Sequence, residues 1–397
     1  MIADANAWPF LLSHRARLLA GLLVGFGVGV AAHGLIFQPA EAWPNLLLDG
    51  FYFLSLGVSG LFFFAGQRVS GARWSAGLRR VPEAVMLLLP WAAVGMLALY
   101  FGRHTLFAWT HAGAFAGDPP IAGRGRYLTE TGVFGRAIFT FVVWTLAAWR
   151  LRRISLAQDG DPAGNLIHHA RLNRTAALFI VVFAPTFTCT AYDWILSLEP
   201  RWFSTMFAVY LFAGTFVQGI AAVTLIVAVL YRRGLLRGHI RPEQLHDLGK
   251  MLFAFSIFWA YIWVSQYLLI WYGNLPEEVP YYVKRTQGAW LPLFALNFFV
   301  NWVGPFVVLL PASAKRNPRV LAAVSMVLLA GHWLDLYVMI MPTQSVAPLP
   351  GLYAAAIGAG TVALAFLLIV RNLGRAPLSP INDPVLVAER AAGAVHS

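Results

Sequence analysis

The chain is short of charge and nearly free of cysteine. Only 12% of its 397 residues are Asp, Glu, Lys or Arg and 59% are hydrophobic, against roughly 25% and 45–50% in soluble domains. That balance excludes a water-soluble globule. It also excludes intrinsic disorder, which needs low hydrophobicity and high charge. The one cysteine, Cys189, leaves no disulfide framework, Cys-ligated zinc site, iron–sulfur cluster or c-type haem attachment motif in this chain. Acidic residues are scarcer than basic ones, 17 against 29, for a net charge of +12. The basic residues sit in short clusters between apolar stretches, where they read as topology determinants beside lipid headgroups rather than a nucleic-acid surface. What remains is an all-α integral membrane protein.

A bilayer core takes roughly 20 apolar residues per helix. Ten such stretches lie near 17–37, 46–66, 82–101, 132–150, 174–198, 204–231, 248–272, 289–311, 319–341 and 351–371. Of the 29 Lys and Arg, 22 fall on one alternating set of connections: Arg15 and Arg17; Arg68, Arg73, Arg79 and Arg80; Arg150, Arg152, Arg153, Arg171 and Arg174; Arg232, Arg233, Arg237, Arg241 and Lys250; Lys315, Arg316 and Arg319; Arg371, Arg375 and Arg390. The other seven are Arg103, Arg124, Arg126, Arg136, Arg201, Lys284 and Arg285. The positive-inside rule then places both termini in the cytoplasm. Ala40-Glu-Ala42 imitates a signal-peptidase site, but the run from Leu18 to Phe37 is long for a signal peptide. Gly21, Gly25 and Gly29 there mark a small-residue packing face, so the first span is read as retained.

Two outward connections are long, 102–131 with Asp118-Pro119-Pro120 and 273–288 with Pro276-Glu277-Glu278. On the inner side 150–171 reads as a polar linker, and the tail after Leu373 as short and loosely ordered. Spans 5 and 9 echo one another: Asp193 and Asp335 each lie seven residues before a closing proline, Pro200 and Pro342, with Trp194 and Trp333 beside them. Three spans lie between the pair, so the echo recurs with a period of four. The chain therefore divides into 1–45 with span 1, a first four-helix bundle at 46–200 (spans 2–5), a second at 201–345 (spans 6–9), and 346–397 with span 10 and the tail.

Ionisable groups inside a span cost several kcal/mol, of order 2–3 on insertion scales, unless they are paired or hydrated. Toward the outer half lie His33, Asp49, Arg136, Asp193, His332 and Asp335. Asp193 and Asp335 have a structural alternative as caps or partners of Arg136. His332 and Asp335, three apart, share a helix face, and a carboxylate there orients the imidazole. Toward the inner ends lie Glu83, Asp247 and Lys250, whose bland reading is interfacial. Between them are neutral polar residues including Ser55, Ser59, Gln218, Ser256, Gln266, Asn297 and Asn301. A b-type haem would need facing histidines, and only His33 and His332 are well placed. An ion-coupled transporter would concentrate charge at mid-membrane. Quinol handling or proton conduction suits an acid and an imidazole better. Glu83, Asp247 and Lys250 would be an inner proton entry, Ser256, Gln266 and Asn301 a water-bridged middle, and Asp193, His332, Asp335 and Asp49 an outer exit. Glu277, Glu278, Lys284 and Arg285 are candidates for docking a partner.

Three segments carry a family resemblance: Tyr192-Asp-Trp-Ile-Leu-Ser-Leu-Glu-Pro-Arg-Trp-Phe-Ser204, His246-Asp-Leu-Gly-Lys-Met-Leu-Phe-Ala-Phe255, and Phe258 through Gln266 to Trp271-Tyr-Gly-Asn-Leu-Pro-Glu-Glu278. They resemble the polysulfide-reductase-like (NrfD-like) membrane subunits of alternative complex III, most densely over 185–310. The resemblance implies a subunit of a quinol:electron-acceptor oxidoreductase in a bacterial cytoplasmic membrane. It implies as partners a paralogous NrfD-like subunit, an iron–sulfur protein and c-type cytochromes, with clusters and haem c held there and no redox group in this chain. It also implies the two bundles, a role in scaffolding and proton passage, and, as an alternative, direct contact with quinol.

Overall fold

A computed structural model describes residues 13–115, 123–236, 238–344 and 348–395. Asp118-Pro119-Pro120, Arg237 and the Arg390 side chain lie outside the described residues. Among the described residues, ten helices are long and apolar enough to cross a membrane: His14–Phe37, Pro39–Val69, Arg80–Leu106, Glu130–Gly160, Asn165–Leu198, Phe207–Arg232, Pro242–Gly273, Gly288–Leu309, Pro318–Thr343 and Leu352–Leu373, spans 1 to 10. No strand occurs among the described residues.

Local chemistry sets many of the ends. Ser13, Thr129 and Asn317 cap spans 1, 4 and 9, each side chain accepting from a backbone N–H of the first turn. Pro39, Pro242 and Pro318 occupy the opening turns of spans 2, 7 and 9, where a missing N–H has no cost. Asn274, at φ 47°, ends span 7, in the left-handed conformation that asparagine tolerates. Span 8 widens into a π-turn over Phe299–Val303 that carries Asn301, a device that leaves backbone carbonyls unmatched and recurs at functional sites.

Spans 2 and 6 are the centre. In each, 83% of the apolar window is buried, against 17% in span 1. They touch one another where Gly219 seats on Ser59, so close that a Cβ on Gly219 would lie 2.5 Å from the serine Cβ. Span 2 contacts spans 3 and 5, which both contact span 4; span 6 contacts spans 7 and 9, which both contact span 8. Span 10 packs on spans 1 and 2.

Three local expectations are corrected. Gly21, Gly25 and Gly29 face open space; span 1 packs through Gly27 and Gly34, where a Cβ would meet span 10 atoms at 2.9 and 2.7 Å. The buried stripe is Ala20, Gly27 and Gly34, seven apart and thus two turns along one face. The linker at 150–171 is mostly helix, because span 4 continues to Gly160 and span 5 begins at Asn165. Only the stretch around Pro162 is irregular, since its ring clashes with the preceding turn and it lacks an N–H. The tail is anchored: Asp383 is fully buried and a helix follows over Pro384–Val395.

Candidate functional site

The acids within the helical body separate by what neutralises them. Glu83, fully buried near the start of span 3, lies among arginines: Arg79 Nε at 3.3 Å, Arg80 at 2.6 Å, and Arg152 of span 4, with Ser155 donating its hydroxyl. Arg80 also pairs with Asp159, and Arg79 with Asp383 at 2.5 Å, so this network ties spans 3 and 4 to the tail. Arg68 adds a longer contact to Asp383 at 3.7 Å. Burial pushes the Arg79 guanidinium below its ordinary range, opposed by the Glu83 charge. Glu83 is thus enclosed by protein in the first turn of span 3. Its pairing has a legible sequence signal, since Arg79 and Arg80 precede it by four and three residues on one helical face. Asp247 and Lys250 pair with each other at 2.6 Å in a half-exposed position, and no hydrogen bond or ion pair among the described residues joins them to Glu83.

Asp193 of span 5 is held by Arg136 of span 4 in a bidentate pair, with Nε and one Nη each donating at 2.8 Å. Arg136 also lies 3.9 Å over the Tyr127 ring and donates to the Tyr127 carbonyl. This fork geometry fixes both partners and discharges the carboxylate.

Asp335 is different. It is fully buried in span 9 and receives three neutral donors, one from each of spans 6, 8 and 7: Tyr210 Oη at 2.5 Å and Asn297 Nδ2 at 2.7 Å on Oδ1, and Trp259 Nε1 at 3.1 Å on Oδ2. The carboxylate is a hub that joins four helices. His332, one turn away, is 1% exposed with its Nδ1 3.9 Å from Asp335 Oδ2, and neither ring nitrogen has a hydrogen-bond partner among the described residues. Gly214 of span 6 makes room for the pair: a Cβ there would lie 2.8 Å from the imidazole and 3.3 Å from Asp335 Oδ2. Asn301 extends the polar group, donating to Asn297 Oδ1 at 2.7 Å and the Gly331 carbonyl at 2.9 Å.

Asp49 of span 2 is the second acid of this kind. Trp333 Nε1 donates to its Oδ1 at 2.8 Å while the buried Oδ2 has no partner. Span 9 thus turns His332 toward Asp335 and the adjacent Trp333 toward Asp49. Between spans 2 and 6, Ser55 Oγ donates to Gln218 Oε1 at 2.7 Å and Gln218 Nε2 to the Tyr52 carbonyl at 3.1 Å. Thr215, Thr224 and Ser325, buried on spans 6 and 9, carry hydroxyls without a partner among the described residues. Buried polar atoms of this kind are the ordinary seats of internal water.

The remaining candidates lie elsewhere. His33 pairs with Tyr353 Oη at 3.1 Å between spans 1 and 10. Gln266 donates to Ser204 Oγ at 3.2 Å, away from the hub, and Ser256 bonds the carbonyl of Phe253 on its own helix. Arg285 is 1% exposed: it donates to the carbonyls of Val338 and Met339 that close span 9, lies 2.9 Å from Glu199 and stacks at 3.5 Å on Tyr281. Lys284 pairs with Glu199 at 3.0 Å and Trp202 donates to the Glu278 carbonyl at 3.0 Å, so Arg285 and its neighbours clamp two connections together. Burial raises the Tyr281 phenol to about 12. Among the four docking candidates, Glu277 and Lys284 are exposed. Tyr210 and Trp259 carry no sequence signal, being two aromatics among many; Asn297 stood only among the neutral polar residues.

Among the described residues, no group of three His, Cys, Asp or Glu side chains is placed to hold a metal ion. Comparison with protein-family models finds no match, and comparison with curated proteins finds none.

Proposed function

We propose that this chain is a membrane subunit that handles protons at the Asp335–His332 hub, within a quinol-oxidising electron-transport complex whose redox centres belong to other subunits. The observation that carries the proton reading is a contrast in compensation. Glu83 and Asp193 have arginine partners, whereas Asp335 and Asp49 are the acids at most 2% exposed that have no Lys or Arg within ion-pair distance among the described residues. An acid held by neutral donors inside a membrane bundle changes charge with its proton, and an imidazole 3.9 Å away is a partner for the transfer. Water at the buried hydroxyls of spans 6 and 9 would extend the route away from the hub.

The complex is inferred from the resemblance of 192–204, 246–255 and 258–278 to NrfD-like subunits. With it come the bacterial cytoplasmic membrane, the paralogous subunit, the iron–sulfur protein and the c-type cytochromes. The reading also takes the two rings of contacts as bundles 2–5 and 6–9, and both termini as cytoplasmic from the arginine bias. Occupation of both Asp335 oxygens by Tyr210, Asn297 and Trp259 favours protons over direct quinol contact, because it leaves the carboxylate no free face for a quinol hydroxyl.

The test is purification in mild detergent followed by reconstitution. Haem c and iron–sulfur proteins should accompany the chain; isolation as a lone, colourless polypeptide would remove the complex. Asp335→Asn should lower protons moved per electron while quinol oxidation persists. An unchanged ratio would take Asp335 off the route, and loss of quinol oxidation in an intact complex would assign it to quinol chemistry instead.

A further inference from the structure

Spans 6 and 10 both pack on span 2 and leave a cleft between them. Its volume is about 310 Å³. Tyr52, Phe53 and Leu56 of span 2 form its floor, and the small side chains Ala222 and Ala365 hold its walls apart. Val362 and Phe366 on the span 10 wall are exposed, so the cleft opens on the outer surface of the helical body. At the arginine-rich end it shares Val229 and Arg233 with a second cavity, of about 750 Å³, lined also by Arg232, Asn317 and Arg319. No carboxylate among the described residues lines either cavity.

The two together form an apolar trough with three arginines at one end, where the arginine bias puts the cytoplasmic headgroups. We propose that this composite cavity seats one anionic phospholipid, its phosphodiester against Arg232, Arg233 and Arg319 and one acyl chain in the cleft. The dimensions fit. Thr361 and Leu373 bound the trough on span 10, twelve residues and therefore roughly 18 Å apart, against roughly 15 Å for one leaflet of hydrocarbon. Charge fits as well, because basic pockets between helices near an anionic leaflet gain about a factor of five per Lys or Arg. The floor argues for a hydrocarbon chain rather than a quinone ring. Tyr52 Oη is committed to the Leu329 carbonyl at 3.1 Å, and Thr361 is the other uncharged polar side chain in the lining, so little is left to fix two ring carbonyls. The trough ends beside the hub, since the Tyr52 ring lies 6.2 Å from His332; a seated chain would keep that side of His332 dry.

The experiment uses the full chain in its purified assembled form, washed extensively in mild detergent and then offered phosphatidylglycerol, phosphatidylcholine, a long-chain quinone or inorganic phosphate. Retained adducts are counted by native mass spectrometry. One phosphatidylglycerol per chain should remain, in preference to phosphatidylcholine. Arg232→Gln, Arg233→Gln and Arg319→Gln should each reduce that preference about fivefold. Ala365→Trp should reduce retention of both lipids, and Ala365→Leu, which keeps a helix former in place, should do so to a smaller extent if the larger side chain disturbs folding. Equal retention of the two lipids by the wild type would overturn the proposal, as would retention untouched by both Ala365 variants. Retention of quinone in place of phospholipid, or displacement of the lipid by millimolar inorganic phosphate, would likewise overturn it.

Discussion

Replacing Asp335 by asparagine tests the hub geometry through a donor that loses its acceptor. Tyr210 and Asn297 both donate to Oδ1 and Trp259 alone donates to Oδ2. An asparagine oriented with its oxygen at Oδ1 keeps two donors, but its amide nitrogen then faces the indole N–H at about 3 Å, donor against donor. The buried indole is left unsatisfied, a cost of about 1–3 kcal/mol. Hydrogen bonds between helices within membrane bundles average nearer 0.6 kcal/mol, so about 1–2 kcal/mol is the working expectation. Asp335→Ala orphans all three donors and should cost two to three times as much. Trp259→Phe removes the conflicting donor. In a double-mutant cycle, Asp335→Asn in a Trp259→Phe background should therefore be less harmful than alone by about 1–2 kcal/mol. The assay is reversible unfolding in detergent, followed by near-UV circular dichroism. Additive effects of the two substitutions, or equal costs for the asparagine and alanine variants, would refute the three-donor hub.

Three further outcomes are expected. Arg136→Gln or Asp193→Asn alone should each destabilise by about 2–3 kcal/mol, at the low end because Arg136 is 28% exposed, while the double variant should be milder than either; unfolding midpoints of the three decide this. Asp383→Asn should release the tail, since it discharges the partner of Arg79 and Arg68, and limited proteolysis should then cut after Leu373 sooner than in the wild type. Gly214→Ala should push His332 aside, because the new Cβ would lie 2.8 Å from its ring; proton transfer per electron should fall, and an unchanged ratio in a folded protein would take His332 off the route.

Much of the architecture was legible in the residue order because hydrophobicity is a local quantity. A run such as Leu18 to Phe37 is apolar whatever it packs against, so ten spans and the alternation of basic connections follow from composition along the chain. The linker read at 150–171 is short because its polar residues are helical on either side of Pro162, which breaks the helix through its backbone. Two of the partners of Glu83, Arg79 and Arg80, are also near it in sequence, whereas Arg152 and Ser155 come from span 4.

Fate of a charge is not local. Asp193 and Asp335 stand in matching sequence settings, yet one meets an arginine and the other a tyrosine, an asparagine and a tryptophan from three different helices. The order of residues in span 1 pointed to the face of Gly21, Gly25 and Gly29, whereas the approach of span 10 selected Gly27 and Gly34. Likewise Arg285 looked like an exposed docking residue until the fold closed the end of span 9 over it. Composition and spacing thus determined that the chain has ten helices long and apolar enough to cross a bilayer, and where its polar side chains sit along each helix. Which of them meet an arginine and which meet only neutral donors was decided by contacts between helices far apart in sequence, where a few ångströms separate a salt bridge from a hydrogen-bonded carboxylate.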